Sequence, residues 1–383
     1  MTLNEVELYN FKCFESLRLS LRPFSILTGY NAAGKSTAIQ PLLLIAQTLR
    51  SSTDLTRVVL NGDLVRLGTP GEVISASSGD GKIRIGFRAD EQQLSLELGA
   101  SEILGTGALE VKSVHANYAT VFNRETKPDF FRSQKLAKLD EQLSNVVYIG
   151  ATRIGTPDLM PNPDLNFIHA DVGCNGQFAA WWYHQFVDED IELGRRHPQE
   201  EGTTLRRQLD AYLDDLFPGG QANAELIPRT AFSRLTFRSS AQSDWLRPSN
   251  IGYGLSYAFP ILVALLLARP GQIVVVDSPE AHLHPHGQSQ MGRILGRFAA
   301  AGIQVIIETH SDHVLNGARL SVRANALHSD SIAIHFFQGK VADHNANGIQ
   351  SLALDKNGAI DAWPEGFFDQ AEHDLMVLSG LSE

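Results

Sequence analysis

The stretch GYNAAGKST at residues 29–37 fits the pattern GxxxxGK[ST], with Gly29 and Gly34 as its glycines, Lys35 as its lysine and Ser36 as its hydroxyl. Glycines let backbone N–H groups approach a phosphate, the lysine reaches β and γ oxygens, and the hydroxyl faces a Mg2+ ion. Asn31, Ala32, Ala33 and Thr37 complete the loop. Such chemistry needs a strand before the loop and a helix after it, because a helix N-terminus adds free N–H groups and partial positive charge. The apolar run FSIL before the loop and the stripe Ile39, Leu42, Leu43, Ile45 and Ala46 after it supply both.

Three more stretches carry groups suited to the same ligand. IVVVDSPEAHLHP is an apolar strand ending on Asp277, a carboxylate placed to hold Mg2+ through water, with Glu280 three residues on. Glu280 is expected either to reach an attacking water or to serve as a helix N-terminal charge. GIQVIIETHSDH places His310 at another strand tip, where it can touch a γ-phosphate. NIGYGLSYAFPI sets Gly252 and Gly254 before Ser256 at the start of an apolar helix, a second N-terminus able to bind phosphate. His282, His284 and His286 alternate in a loop, a spacing that offers no tetrahedral metal set.

The elements that must position these groups follow from periodicity. Alternating runs from residue 5 to 27 and from 58 to 121 read as strands, the latter as an antiparallel sheet. Between about 125 and 240 the pattern predicts helices at 131–143, 177–187 and 203–216 and a strand at 146–149. From 250 onward, helix 256–267, strand 272–277, helix 286–301 and strand 304–308 alternate, which argues for a parallel sheet flanked by helices. The expected division is therefore an N-terminal lobe at 1–125 with the phosphate loop, an insertion at 126–240, and a C-terminal lobe at 241–383.

The chain has 383 residues, 43% of them hydrophobic, enough for a large buried core. No apolar run approaches the roughly 18 residues that a membrane helix needs. With no basic start followed by an apolar stretch, the expected location is cytoplasmic and no membrane partner is expected. Cys13 and Cys174 stand far apart and are read as packing residues. A formal net charge of −11 confines any nucleic-acid contact to a local basic patch.

With these motifs in hand, the chain resembles the AAA/ABC-like ATPases allied to RecF, the SMC proteins and the overcoming-lysogenization-defect proteins. NFKCFESLRLSLRPFSILTGYNAAGKST looks like their N-terminal lobe, and VVVDSPEAHLHPHGQ with IIETHSDHVLN like their C-terminal lobe. The tail WPEGFFDQAEHDL is similar to an uncharacterised subfamily. The resemblance implies an α/β, ABC-type P-loop ATPase head with a mixed sheet, an antiparallel side sheet and a mainly helical insertion. It also implies ATP and Mg2+ as ligands and a homodimer closed head to tail around two ATP molecules. Lys35, Ser36, Asp277 and His310 would come from one subunit, with Ser256 and Gly254 reaching in from the other. Ser278 stands where such proteins place the catalytic glutamate, so Glu280 takes over or hydrolysis is slow. A clear counterpart of the family's glutamine loop is missing, Gln40 and Gln47 both lying on the phosphate-loop helix. The stretch after His310 carries no Toprim nuclease, so the resemblance implies a separately encoded effector, a nuclease or toxin, and a role in anti-phage defence. RecF-like DNA maintenance is the alternative.

Overall fold

The computed structural model describes all residues except 52–54, 101–106, 118, 124–136, 156, 165–169, 340–347 and 380–383. Strands β1 (Leu3–Phe11) and β2 (Phe14–Ser20) form a hairpin that turns through Lys12 at φ +52°, and β3 (Phe24–Gly29) follows. Beyond the glycine loop, α1 (Lys35–Ser51) buries Ile39, Leu42, Leu43, Ile45 and Ala46. Then come β4 (Arg57–Val59), a short α2 (Pro70–Val73), β5 (Lys82–Ala89), β6 (Gln92–Ala100), β7 (Ala108–Ala116) and β8 (Ala119–Asn123). They make an antiparallel sheet of order β2-β1-β5-β6-β7-β4, with β8 also on β7. Alternation sets its inner face: Ile83, Ile85 and Phe87 and, across from them, Leu94, Leu96 and Leu98 are buried against α1, each worth about 1.5–3 kcal/mol.

The next stretch holds α3 (Ala137–Ser144), β9 (Val147–Ile149), β10 (Met160–Pro161), α4 (Ala179–Phe186), α5 (Leu205–Leu216), β11 (Gln221–Leu226) and β12 (Phe232–Arg238). The expected start of α3 at 131–136 and the boundary expected near 125 lie outside the described residues. β10, β12 and β11 form a small sheet of their own, whereas β9 is the edge strand of the central sheet. The last part runs α6 (Tyr253–Leu267), β13 (Ile273–Asp277), α7 (Pro285–Ala300), β14 (Gln304–Glu308), α8 (Asp312–Arg323), β15 (Ile332–Phe337), β16 (Ile349–Leu352) and α9 (Gln370–Leu378).

The central sheet has the order β16-β15-β3-β14-β13-β9, parallel except for β16. Its strands are near-continuous apolar runs because helices cover it; α6 is buried on nearly every side. Sheet order puts β14 between β3 and β13, so the strand ends at Gly29, Glu308 and Asp277 share one edge. No described helix is long and apolar enough to cross a membrane.

One buried histidine ties the sheet to the β1–β2 hairpin. His335 on β15 donates from Nε2 to the Ser20 carbonyl (2.7 Å) and accepts at Nδ1 from the Ser351 hydroxyl (2.9 Å). Burial holds its pKa below the ordinary value, against the Ser20 bond, which raises it. The unfolded chain therefore takes up a proton near pH 6.5 that the folded chain refuses. Stability from this group is complete above that pH and falls as pH drops toward the folded pKa, by up to about 1.4 kcal/mol per pH unit. Urea denaturation at pH 7.5 and 5.5 should show this loss, and His335→Gln should show a shallower one.

Candidate nucleotide site

The loop that joins β3 to α1 has the backbone its glycines dictate. Gly29 has φ +129° and runs beside β15, where a Cβ would lie 2.1 Å from the Phe337 carbonyl oxygen. Tyr30 N–H donates to that same oxygen (2.9 Å). Gly34 has φ +101°, and Ala32 also sits in the left-handed region at φ +59°. Asn31 and Ala32 are exposed, Ala33 is buried and Thr37 is half-buried. The Lys35 side chain is buried, and its Nζ donates to the carbonyls of Gly29 (3.1 Å) and Tyr30 (2.8 Å). Burial lowers the pKa of this ammonium, with Glu308 and Asp277 pulling it back up. Cys13, expected to pack, is exposed, with its Sγ against Gly34.

Asp277 ends β13 in register with Glu308, which ends β14. Both line a cavity of about 40 Å³ together with Ser36, Gln40 and Tyr148. Burial, then the Asp277 charge, raises the Glu308 pKa, while the Ser36 hydroxyl at the same cavity lowers it. Glu308 lies within the histidine motif, where its spacing along the chain assigns it no task. The signal that could have found it is its position as the last residue of an apolar strand, the same position that marked Asp277. Gln40, discounted on sequence distance, reaches the same cavity because it lies one turn beyond Ser36 on α1; it also accepts from Lys12 Nζ (2.9 Å).

Ser278 adopts φ +50°, donates its hydroxyl to Asp277 Oδ1 (2.9 Å) and its N–H to the Glu308 carbonyl (2.8 Å). Glu280 accepts from Thr309 Oγ1 (2.8 Å) and from the His310 N–H (2.9 Å), so both its oxygens hold the strand end that carries His310. It heads no helix: α7 begins at Pro285, capped by His284, whose ring accepts from His286 N–H. His310 is exposed at the edge, and desolvation followed by the Lys35 charge holds its pKa below the ordinary value, favouring the neutral ring.

The helix N-terminus at α6 departs from expectation. Ser256 lies a full turn inside the helix, which begins at Tyr253, and its hydroxyl is buried with no hydrogen-bond partner among the described residues. In this conformation it cannot touch a ligand on another molecule. What the tip exposes is Gly252 at φ +99° and Tyr253, with Gly254 half-buried. Tyr253 stacks on His282 (5.3 Å) and Tyr257 meets the same ring (4.4 Å), joining the tip to the loop after β13. Beneath them, Arg153 donates through Nη2 to the carbonyls of Asp277 (2.8 Å) and Ser278 (3.1 Å) and lies over the Tyr257 ring. Burial pushes its pKa down to about 10.

The C-terminal segment reaches the loop as well. Phe367 is buried against Phe336 and Trp363, Tyr30 leans on Phe336 (5.8 Å), and the Gly366 backbone lies against the Tyr30 hydroxyl. On the other side Arg319 of α8 donates to the Gly358 carbonyl (2.8 Å) and stacks over Trp363.

The residues present suit a hard divalent cation: a hydroxyl and two carboxylates around a small cavity at a phosphate loop are oxygen donors of the type Mg2+ takes. The family profile described as "AAA domain, putative AbiEii toxin, Type IV TA system" matches residues 24–316. A second, "Protein of unknown function (DUF3696)", matches residues 327–378, which include the Trp363–Phe367 segment. No curated protein sequence matches significantly. Among solved structures, an Smc head bound to the C-winged helix domain of ScpA is 14% identical at TM-score 0.52, covering 93% of this chain and 99% of that one. An Smc head with an extended coiled coil, bound to the C-terminal domain of ScpA derived from Pyrococcus furiosus, is 11% identical at TM-score 0.50, covering 100% of both. The fold is thus that of an SMC/ABC-type head. Since the first profile spans most of the chain, from β3 into α8, this protein belongs to that AAA-domain family of P-loop ATPases.

Proposed function

We propose that this protein is an ATP switch: it binds Mg2+–ATP at residues 29–37, hydrolyses it slowly, pairs head to tail with a second copy, and gates a separately encoded effector. The observation that carries this reading is the convergence of Lys35, Ser36, Asp277 and His310 on one edge of a parallel sheet. Lys35 would exchange two backbone carbonyls for β and γ oxygens, and free N–H groups at the start of α1 would face the phosphates. Ser36 and Asp277 would hold Mg2+, which when bound neutralises charge developing on the transferred phosphoryl group. His310, with its ring neutral, would donate to the γ-phosphate.

Slow turnover follows from the acids at hand. Ser278 is not a base, and Glu280 is engaged by Thr309 and His310. Glu280 therefore acts by holding His310 in place. Glu280→Gln should lower kcat about tenfold, whereas loss of a general base costs about a hundredfold or more. Steady-state phosphate release decides between the two roles, and a hundredfold drop would make Glu280 the base.

Pairing would bring the exposed tip of α6, through the N–H groups at Gly252–Gly254, onto the nucleotide of the second copy. Sedimentation velocity should show a dimer with ATP and Mg2+ and a monomer without; a monomer in both rejects the pairing. The partner reading draws support from Smc heads that bind ScpA domains, and the setting from the family description, which names a toxin–antitoxin system. Anti-phage defence is the setting this suggests, and phage plating on cells with and without the gene and its neighbours tests it.

A further inference from the structure

We propose that Glu308 is a positioning residue of the metal site, accepting the proton of the Ser36 hydroxyl so that the hydroxyl oxygen turns its lone pairs to Mg2+. The proposal rests on the reading of residues 29–37 as an ATP site and adds to it a residue that no sequence motif assigns. Three observations converge on it.

The first is register. Asp277 and Glu308 are paired residues of parallel neighbours, so their side chains leave the sheet on the same face and at the same height. Both carboxylates line the small cavity that Ser36 enters from α1. In sequence the residue after Asp277 is a serine; in space the acid next to Asp277 is Glu308.

The second is the allocation of partners. Among the acids near the loop, Glu280 spends both oxygens on Thr309 and the His310 N–H, and one oxygen of Asp277 accepts from Ser278. Glu308 is the carboxylate left to face Ser36, with which it lines the cavity and whose hydroxyl lowers its pKa. A hydroxyl has one proton and two lone pairs. If a fixed acceptor takes the proton, the lone pairs face away from it, toward the position that a metal at the phosphate loop would occupy. Groups behind a metal ligand commonly orient it in this way, and removing one costs about 10–100-fold in metal affinity.

The third is cost. Glu308 is only 9% exposed at the end of an otherwise apolar strand. A carboxylate in such a place is expensive unless its charge is used. Leucine or valine would continue β14 without that expense, and a structural role in the strand does not call for an acid.

The test is a titration of free Mg2+ against binding of a fluorescent ATP analogue, with binding in EDTA as reference, for the full-length wild type, Glu308→Gln, Ser36→Ala and the double variant. Glu308→Gln should raise the Mg2+ needed for half-saturation about tenfold. It should leave binding in EDTA unchanged, and it should have little further effect once Ser36 is alanine, because it acts through that hydroxyl. A wild-type Mg2+ curve in Glu308→Gln overturns the proposal, as do losses that simply add in the double variant. A wild type whose affinity is the same in Mg2+ and EDTA overturns it while leaving the ATP reading standing; a wild type that binds no nucleotide overturns both. Should Glu308→Gln not fold, Glu308→Asp retracts the carboxylate by one methylene and should move the Mg2+ curve in the same direction.

Discussion

Lys35→Ala is expected to weaken ATP binding by more than a hundredfold while leaving the thermal midpoint of the protein equal or higher. The ammonium donates to the Gly29 and Tyr30 carbonyls at the mouth of the loop, the place phosphate oxygens would take. Hydrogen bonds to charged groups contribute about 1.5–3 kcal/mol each. Losing two of them amounts to roughly 3–6 kcal/mol, and each 1.4 kcal/mol is a factor of about ten. The stability part of the result has its own cause. Lys35 is buried and its pKa is lowered chiefly by that burial, so the folded state carries a desolvated charge that alanine removes. Titration of a fluorescent ATP analogue and a thermal melt read both halves. Affinity within threefold of wild type would mean that the loop does not grip a triphosphate.

The second large effect is on the fold behind the site. Gly317→Ala should destabilise the protein by about 3 kcal/mol, the upper part of the range for overpacking. Helices α7 and α8 cross at two glycines: a Cβ on Gly317 would lie 2.0 Å from the Ser289 carbonyl oxygen, and one on Gly292 would lie 2.1 Å from that of Val314. The atoms met are backbone, so no rotamer change relieves the clash, and the helices must separate. The gain of about 1 kcal/mol in helix propensity over glycine offsets only part of that. Because α7 follows Asp277 and α8 follows His310, separation also moves both groups relative to Lys35. Urea denaturation gives the stability change. Gly71→Ala, where a Cβ meets nothing within 4 Å, is the control expected to stay near wild type.

Much of the architecture was legible because its signals are local. The apolar strands before Gly29, Asp277 and His310 are short unbroken runs that only a covered parallel sheet accommodates, and the predicted strand 304–308 coincides with β14. The phosphate loop needed nothing beyond its own glycines and flanks. Helix ends were less well marked. α6 was expected from residue 256 and begins at Tyr253, and that difference of one turn carries Ser256 from the exposed tip into the core. β9 was expected as a strand inside an insertion, and nothing in its three residues says that it pairs with β13.

The sequence by itself determined what depends on neighbours a few residues away: the strand, loop and helix around 29–37, Asp277 and His310 at strand ends, and a serine directly after Asp277. Tertiary structure alone decided which acids meet. Glu308 stands beside Asp277 and Ser36 because β14 lies between β3 and β13, a consequence of strand order that no spacing along the chain encodes. It likewise decided that Glu280 clasps the His310 strand end and that the tail at Trp363–Phe367 closes on Tyr30. The physical reason is the same in each case. Backbone conformation is set by local sterics, whereas the partner of a side chain is set by the packing of elements far apart in sequence.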